Sequence, residues 1–416
     1  MREAVIVDAC RSPIGRAGDR GVFRAIGHAD MMVPVLKAIV ERNKLNPAMI
    51  DDVTMGSVAL QGIKMMLLVA GFPESIAGSD TTRQCASSTQ AIAIAAHNIM
   101  NDDADICIAA GLETMDRQGP VPAWQVGRRG APQMGAFPRG TLTEEQKAAK
   151  YPEGWKTADS KLLPFLPPGM PFWVFNMGRT AEELSERFGI SRQDSDAFAL
   201  TSHQKAVAAQ DAGLLKSQIV PITINYDDGT TEIIDKDQCP RRETSLERLA
   251  ALPPSYKENG LVTAGNSCPR SDGAGAVLLM SKEKAKQLGL KPMCTFRHAV
   301  AVGVDPTVMG IGPVPSTQKI LARTGMKIDD FDIIEINEAF SCQVVYSIRH
   351  LGVNTAKLNP LGGAVAIGHP LGMTGTRQTA NIAHEMVRRN LRWGLATLCV
   401  GGGQGMATIF EREKSY

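Results

Sequence analysis

The sequence predicts an α/β protein of two similar layered halves, with one long insertion in the first. Three observations carry that expectation. Short apolar runs alternate with longer helix-like stretches, a glycine- and proline-rich segment breaks the rhythm, and the rhythm then returns in segments that echo the first set.

Apolar runs at 4–7, 53–60 and 106–110 alternate with helix-like stretches at 30–42 and 86–100, which is the rhythm of strands joined by crossover helices. The segment 117–175 departs from it, being rich in Gly, Pro and Trp, with Pro164, Pro167, Pro168 and Pro171 close together. Such breakers mark a long excursion, and long ordered loops usually serve function. Two helices are predicted next, at 180–188 and 192–211, and the α/β pattern resumes at 273–280. From about Lys291 a second unit echoes the first. Ile333-Ile334-Glu335-Ile336 repeats the run at Val53, Ala396-Thr397-Leu398-Cys399 repeats that at Ile106, and a helix at 375–388 parallels the one beginning near Cys85. An internal duplication is the economical reading. The expected boundaries are 1–116 plus 271–292 for the first half, 117–270 for the insertion and 293–416 for the second half.

With 416 residues, 44% of them apolar, the chain is too long for one ordinary core. Its 45 Lys and Arg nearly balance 43 Asp and Glu, so no global basic field exists to capture nucleic acid or an anionic membrane. A phosphorylated small ligand needs only a local basic patch. Eight cysteines lie scattered with no C-x-x-C pair, which argues against a metal site and a disulfide framework and for reduced thiols. Met1 runs almost directly into an apolar strand, and no apolar run is long enough to span a membrane. The expectation is a cytoplasmic protein without a targeting segment or membrane span.

Four segments hold residues capable of chemistry. Arg83-Gln84-Cys85-Ala86-Ser87-Ser88 precedes the small-residue helix Ala91-Ile92-Ala93-Ile94-Ala95-Ala96, so Cys85 is expected at a helix N-terminus, where free amides and the helix dipole favour a thiolate. The bland alternative is a buried, inert cysteine. Asn359-Pro360-Leu361-Gly362-Gly363-Ala364-Val365-Ala366-Ile367-Gly368-His369-Pro370-Leu371-Gly372 is too glycine-rich for a regular element. It presents His369 on a rigid turn, where a base can be held in one tautomer, or where a histidine is incidental to a structural turn. Cys399-Val400-Gly401-Gly402-Gly403-Gln404-Gly405 ends a strand with a second cysteine and glycines whose N–H groups can approach a ligand closely. It lacks the Lys-Ser/Thr of a phosphate-binding loop. Asn337-Glu338-Ala339-Phe340 closes another strand and offers an amide able to hold a water.

Together, in this order and spacing, these segments resemble the thiolase family through nearly the whole chain. Val5-Ile6-Val7-Asp8-Ala9-Cys10-Arg11-Ser12-Pro13-Ile14-Gly15-Arg16 is similar to the family's opening. Met177-Gly178-Arg179-Thr180-Ala181-Glu182, Thr263-Ala264-Gly265-Asn266-Ser267 and Gly303-Val304-Asp305-Pro306 are similar to later family segments. The resemblance implies a duplicated αβαβα layered sandwich with an inserted loop domain over the active site. It implies an acyltransferase that breaks or makes the carbon–carbon bond of a 3-ketoacyl-CoA, with coenzyme A as co-substrate and no permanently bound cofactor or metal.

In that scheme Cys85 is acylated, His369 activates it, and His369 with a water on Asn337 stabilises the enolate oxygen. Cys399 exchanges the proton of the enolate carbon, and the N–H groups of Cys85 and Gly401 form a second oxyanion hole. Arg241 is implied at the nucleotide end of coenzyme A, and Ala264, Cys268, Met309 and Phe340 along its pantetheine and acyl channel. A homodimer or homotetramer is implied as well.

The chain departs from the family pattern at Ser88-Thr89, where a glycine and an apolar residue are usual, and at Cys268-Pro269-Arg270. The aromatic segment with Trp155, Phe172, Trp173 and Phe175 is also long. These departures predict an acyl preference other than plain acetyl, with Ser88 and Thr89 in the wall beside the nucleophile; the alternative is that the aromatic segment only packs against a neighbouring subunit. A decarboxylating ketoacyl synthase is the nearest rival, and Cys399 with the Asn337 segment speaks against it. A noncatalytic acyl-CoA binder is the rival from another class.

Overall fold

The computed structural model describes residues 2–18, 20–115, 174, 176–226 and 228–413. The aromatic segment 155–173 and Phe175, on which the acyl preference partly rests, lie outside them.

Three strands at the centre of the first half are buried on both faces, as apolar runs of a covered sheet are. These are β1 (Ala4–Arg11), β5 (Ile106–Glu113) and β8 (Ser271–Ser281), each buried along its whole length. The others are β2 (Gly15–Arg16), β3 (Asp52–Gly56), β4 (Ala77–Thr81), β9 (Cys294–Gly303), β10 (Ile333–Ile336), β11 (Trp393–Val400) and β12 (Gln404–Glu411). The sheet follows the path β10-β11-β12-β9-β1-β8-β5-β3-β4, with β2 pairing β8 beside it.

The duplication is visible in this order. In the first half β4 and β3 pair parallel, as do β3 and β5, while β5 and β8, and β8 and β1, pair antiparallel. The second half repeats the sequence of directions: β10 with β11 parallel, then β11 with β12 and β12 with β9 antiparallel. A parallel bridge from Ile334 to Leu358 stands where β4 stands in the first half. The halves join where Val5 and Ile6 of β1 meet Thr295 and Cys294 of β9.

Alternation along the strands assigns the layers. Ile106, Ile108, Ala110 and Leu112 of β5 face a core with the helices His28–Arg42 and Ile63–Val69. Cys107 and Ala109 face the other way, into a core shared with the helices Ser87–Met100 and Thr374–Arg389. Ala396, Leu398 and Val400 of β11 enter that same core, whereas Leu395 faces a third with Ile320 and Val344. The result is the αβαβα order, with one helix from each half in the middle. Ala91, Ala93, Ala95 and Ala96 keep the first of these helices slim. The second is buried from Thr374 through Ala383 although most of those residues are polar, and their hydrogen bonds build the site.

The insertion contributes the helices Met177–Phe188 and Arg192–Asp211, predicted to within three residues. Asn176 and Ser191 cap them with side-chain acceptors. A two-stranded ribbon, β6 (Ile222–Asn225) with β7 (Thr231–Ile234), follows. The insertion is tied to β1 by a fully buried bidentate pair, Arg11 to Asp237 at 2.7 and 2.8 Å. Among the described residues no helix is long and apolar enough to cross a membrane.

Candidate active site

Cys85 precedes the helix Ser87–Met100 by two residues and is 7% exposed. The turn before it is sharp: Gln84 has φ 47°, and Ser87 Oγ donates to the Gln84 carbonyl at 2.6 Å while accepting from Arg83 N–H at 3.0 Å. Burial pushes the Cys85 thiol up to about 11, against the N–H groups of Gly401 and of Cys85 itself, which pull it down. The expected low-pKa thiolate is therefore corrected. The helix start and two amides do face the sulfur, but desolvation outweighs them. Gly401 also lies 3.7 Å from the Gln84 side chain, counted from the position a Cβ would take.

Cys399 is the penultimate residue of β11, fully buried, with Sγ 3.8 Å from Gln343 Oε1. Burial first, and then the neighbouring Cys85 and Cys268 sulfurs, push its thiol well up. The same two causes, burial and then Cys85, hold Cys268 up at about 12. Three thiols from three distant segments thus lie close enough to raise one another's pKa.

His369 sits after Gly368, whose φ is 112° and where a Cβ would come within 2.4 Å of Ser271 Oγ, which leaves no place for a side chain. Its tautomer follows from its partners. Thr374 Oγ1 donates to the Pro370 carbonyl at 2.9 Å and so accepts from His369 Nδ1–H at 2.6 Å. That leaves Nε2 without a proton, facing the Asn337 amide nitrogen at 3.3 Å. Burial, and secondarily the Arg377 charge, push the imidazole down to about 3. The base is therefore neutral with Nε2 as its open nitrogen. Asn337 is oriented in turn: its Oδ1 accepts from Arg377 Nη2 at 3.2 Å. Arg377 is fully buried and pairs with Glu335 at 3.4 Å, which also accepts from Asn381 at 3.1 Å.

The sequence reading missed Thr374, Arg377 and Glu335. The signal for Glu335 was a lone glutamate inside the isoleucine strand at 333–336; Thr374 and Arg377 stand on a largely polar helix whose burial the sequence does not show.

The binding residues divide into two groups. Met309 and Phe340 are buried in one apolar cluster with Cys399. Arg241 and Ala264 instead line a separate cleft of ≈ 260 Å³, with Arg16, Arg20, His203 and Pro269. Arg241 N–H donates to His203 Nδ1 at 3.1 Å, while its neighbour Arg242 pairs with Asp211. The Ser88 hydroxyl is engaged between helices, and that of Thr89 is buried without a hydrogen-bond partner among the described residues. Ser88 Oγ accepts from Thr376 N–H at 3.1 Å, and Thr89 packs against Gly375. Both hydroxyls lie where the Cys85 helix meets the His369 helix.

A thiol backed by two amides, a second buried thiol and a neutral, oriented imidazole on a duplicated αβαβα frame define an enzyme that carries acyl groups on cysteine. Residues 4–283 match the thiolase N-terminal domain and 290–412 the thiolase C-terminal domain. The chain is 39% identical to peroxisomal 3-ketoacyl-CoA thiolase B of Rattus norvegicus, over 98% of this chain and 91% of the relative. It is 37% identical to the 3-oxoadipyl-CoA/3-oxo-5,6-dehydrosuberyl-CoA thiolase of Escherichia coli K12, over 99% and 100%. Human mitochondrial 3-ketoacyl-CoA thiolase, solved in complex with CoA, superposes with a TM-score of 0.81 at 31% identity, covering 99% and 98%.

This chain belongs to the thiolase family. Its reaction is the reversible, CoA-dependent thiolysis of a 3-ketoacyl thioester, and coenzyme A is a substrate, not a resident cofactor.

Proposed function

We propose that Cys85, His369, Cys399, Asn337 and Gly401 carry this reaction. The observation that supports it most is the meeting of the Gly401 N–H, from the second half, with the Cys85 sulfur, from the first. His369 Nε2 takes the Cys85 proton as the sulfur attacks the 3-keto carbon. The Cα–Cβ bond then breaks, leaving the acyl group on Cys85 and the electron pair on the enolate of acetyl-CoA. The protonated Nε2 and a water on Asn337 stabilise that enolate oxygen, and Cys399 gives its proton to the enolate carbon. The Cys399 thiolate then removes the proton of an incoming coenzyme A thiol, whose sulfur attacks the acyl-cysteine, and Cys85 leaves as a thiolate that takes back the proton from His369 Nε2. At that stage the N–H groups of Cys85 and Gly401 hold the tetrahedral oxygen, each such donor being worth about 3–4 kcal/mol. Arg241 and Ala264 are the proposed contacts for coenzyme A, and Cys268, Met309 and Phe340 line the channel toward Cys85. The boundaries 1–116 plus 271–292, 117–270 and 293–416 are proposed as the working division of the chain.

Mixing the protein with coenzyme A and acetoacetyl-CoA is expected to deplete the enolate absorbance and yield two acetyl-CoA. Absence of turnover with acetoacetyl-CoA and with longer 3-ketoacyl-CoA substrates overturns the reading.

We further propose a homodimer or homotetramer, in the cytoplasm. Strand β4 ends the sheet with Ala77, Ser79 and Asp80 exposed, and the helix before it exposes Met65, Leu68 and Val69. An open strand edge beside an apolar patch suits pairing with a second copy. Light scattering is expected to show two or four chains; a stable single-chain particle contradicts it. Cell fractionation tests the location.

A further inference from the structure

Glu113 ends β5 as a buried carboxylate, and among the described residues it forms no ion pair. Its carboxyl oxygens accept hydrogen bonds from four donors. Oε2 accepts from Val58 N–H at 2.9 Å and from Gly372 N–H at 3.0 Å. Oε1 accepts from Ala59 N–H and Ser57 Oγ, both at 3.4 Å. Burial pushes the carboxyl up to about 7 while all four donors pull it down. A buried charge without a counter-ion is costly, and a neutral side chain would fill this space at less cost.

The donors come from both halves. Ser57, Val58 and Ala59 follow β3 of the first half. Gly372 lies in the second, three residues after His369 and two before Thr374. The contact is backbone against backbone: a Cβ on Gly372 would meet Ser57 Cα at 2.5 Å and the Leu112 carbonyl at 2.6 Å. The other end of the same segment is fixed by a second buried carboxylate. Glu338 accepts from Val365 N–H at 3.1 Å, Asn359 Nδ2 at 2.7 Å and Ser202 Oγ at 2.6 Å.

We propose that Glu113 is a positioning residue for His369. It clamps the turn that carries the imidazole onto the 57–59 loop of the opposite half, so that Nδ1 stays on Thr374 and Nε2 on Asn337. The Ser88–Thr376 bond next to it ties the same turn to the Cys85 helix. The proposal rests on the thiolase reading given above. It goes beyond that reading in assigning a role to a group that touches neither substrate nor reacting atoms.

Glu113→Gln is the test, because an amide keeps the volume but sets an NH2 against one pair of donors. Misplacing a catalytic group by a fraction of an ångström costs tenfold or more, so kcat for thiolysis is expected to fall about 10- to 100-fold. KM for coenzyme A should stay within about twofold, since Arg241 and Ala264 lie elsewhere. Glu113→Asp keeps the charge but shortens its reach, and the same split at smaller size is expected if the glutamine variant does not fold. An unchanged kcat per folded enzyme, or a rise in KM alone, overturns the proposal. Wild-type protein assayed alongside separates the two ideas: an inactive wild type defeats the thiolase reading, whereas active wild type with equally active variants defeats only the clamp.

Discussion

Cys85→Ala is expected to abolish acyl-enzyme formation and to lower kcat by about four orders of magnitude or more, as loss of a nucleophile does elsewhere. The fold should survive, because the deleted sulfur borders the pocket and the turn at 83–88 is held by Ser87 Oγ and backbone bonds. Intact-protein mass spectrometry after mixing with acyl-CoA should show the acyl adduct on the Cys85 peptide of wild type and none in the variant. An adduct confined to the Cys399 peptide would reverse the two roles.

The same experiment carries a pH dependence. Burial holds the Cys85 thiol up at about 11 and the His369 imidazole down at about 3. At neutral pH the resting pair is therefore thiol and neutral imidazole, and the thiolate forms as the substrate is attacked. A thiol whose pKa is raised gains thiolate with rising pH, so iodoacetamide alkylation of Cys85 should accelerate about tenfold per unit from pH 7 to 10. A plateau below pH 8 would mean a preformed thiolate–imidazolium pair instead.

How much of this was legible beforehand follows from which interactions are local. The helices at 177–188 and 192–211 announce themselves through caps and period, and the Cys85, His369 and Cys399 segments through glycines that no regular element tolerates. Strand β4, Ala-Gly-Ser-Asp-Thr, carries no strand propensity and pairs only because β3 lies beside it. The helix Pro313–Thr324 went unpredicted behind its two prolines, which stand in its first turn, where they are tolerated. Ser88 and Thr89 read as substrate wall because the sequence shows only that they flank Cys85. That the His369 helix packs on them is a contact across almost 290 residues. The helix-dipole argument for Cys85 likewise counted the amides correctly and omitted the desolvation, which only the folded surroundings set.

Cys399→Ser is the other large expected effect, and it separates proton transfer from acylation. The substitution is nearly isosteric at a residue whose only side-chain polar contact among the described residues is Gln343 Oε1 at 3.8 Å, so thermal stability should change little. The chemistry changes a great deal. A thiol titrates near 8.5 in water and is raised here by burial and by the Cys85 and Cys268 sulfurs, but a serine hydroxyl is a far weaker acid. It cannot hand a proton to the enolate carbon and recover one from coenzyme A on the timescale of turnover. Positioned acid–base groups contribute about 10²- to 10⁴-fold, and a loss of kcat within that range is expected. Solvent deuterium exchange into the methyl group of acetyl-CoA reports this step alone and should fall by the same factor, while Cys85 is still acylated by an acyl-CoA donor. Exchange at the wild-type rate in the serine variant would remove Cys399 from the proton path and leave Gln343 and His369 as the groups to examine.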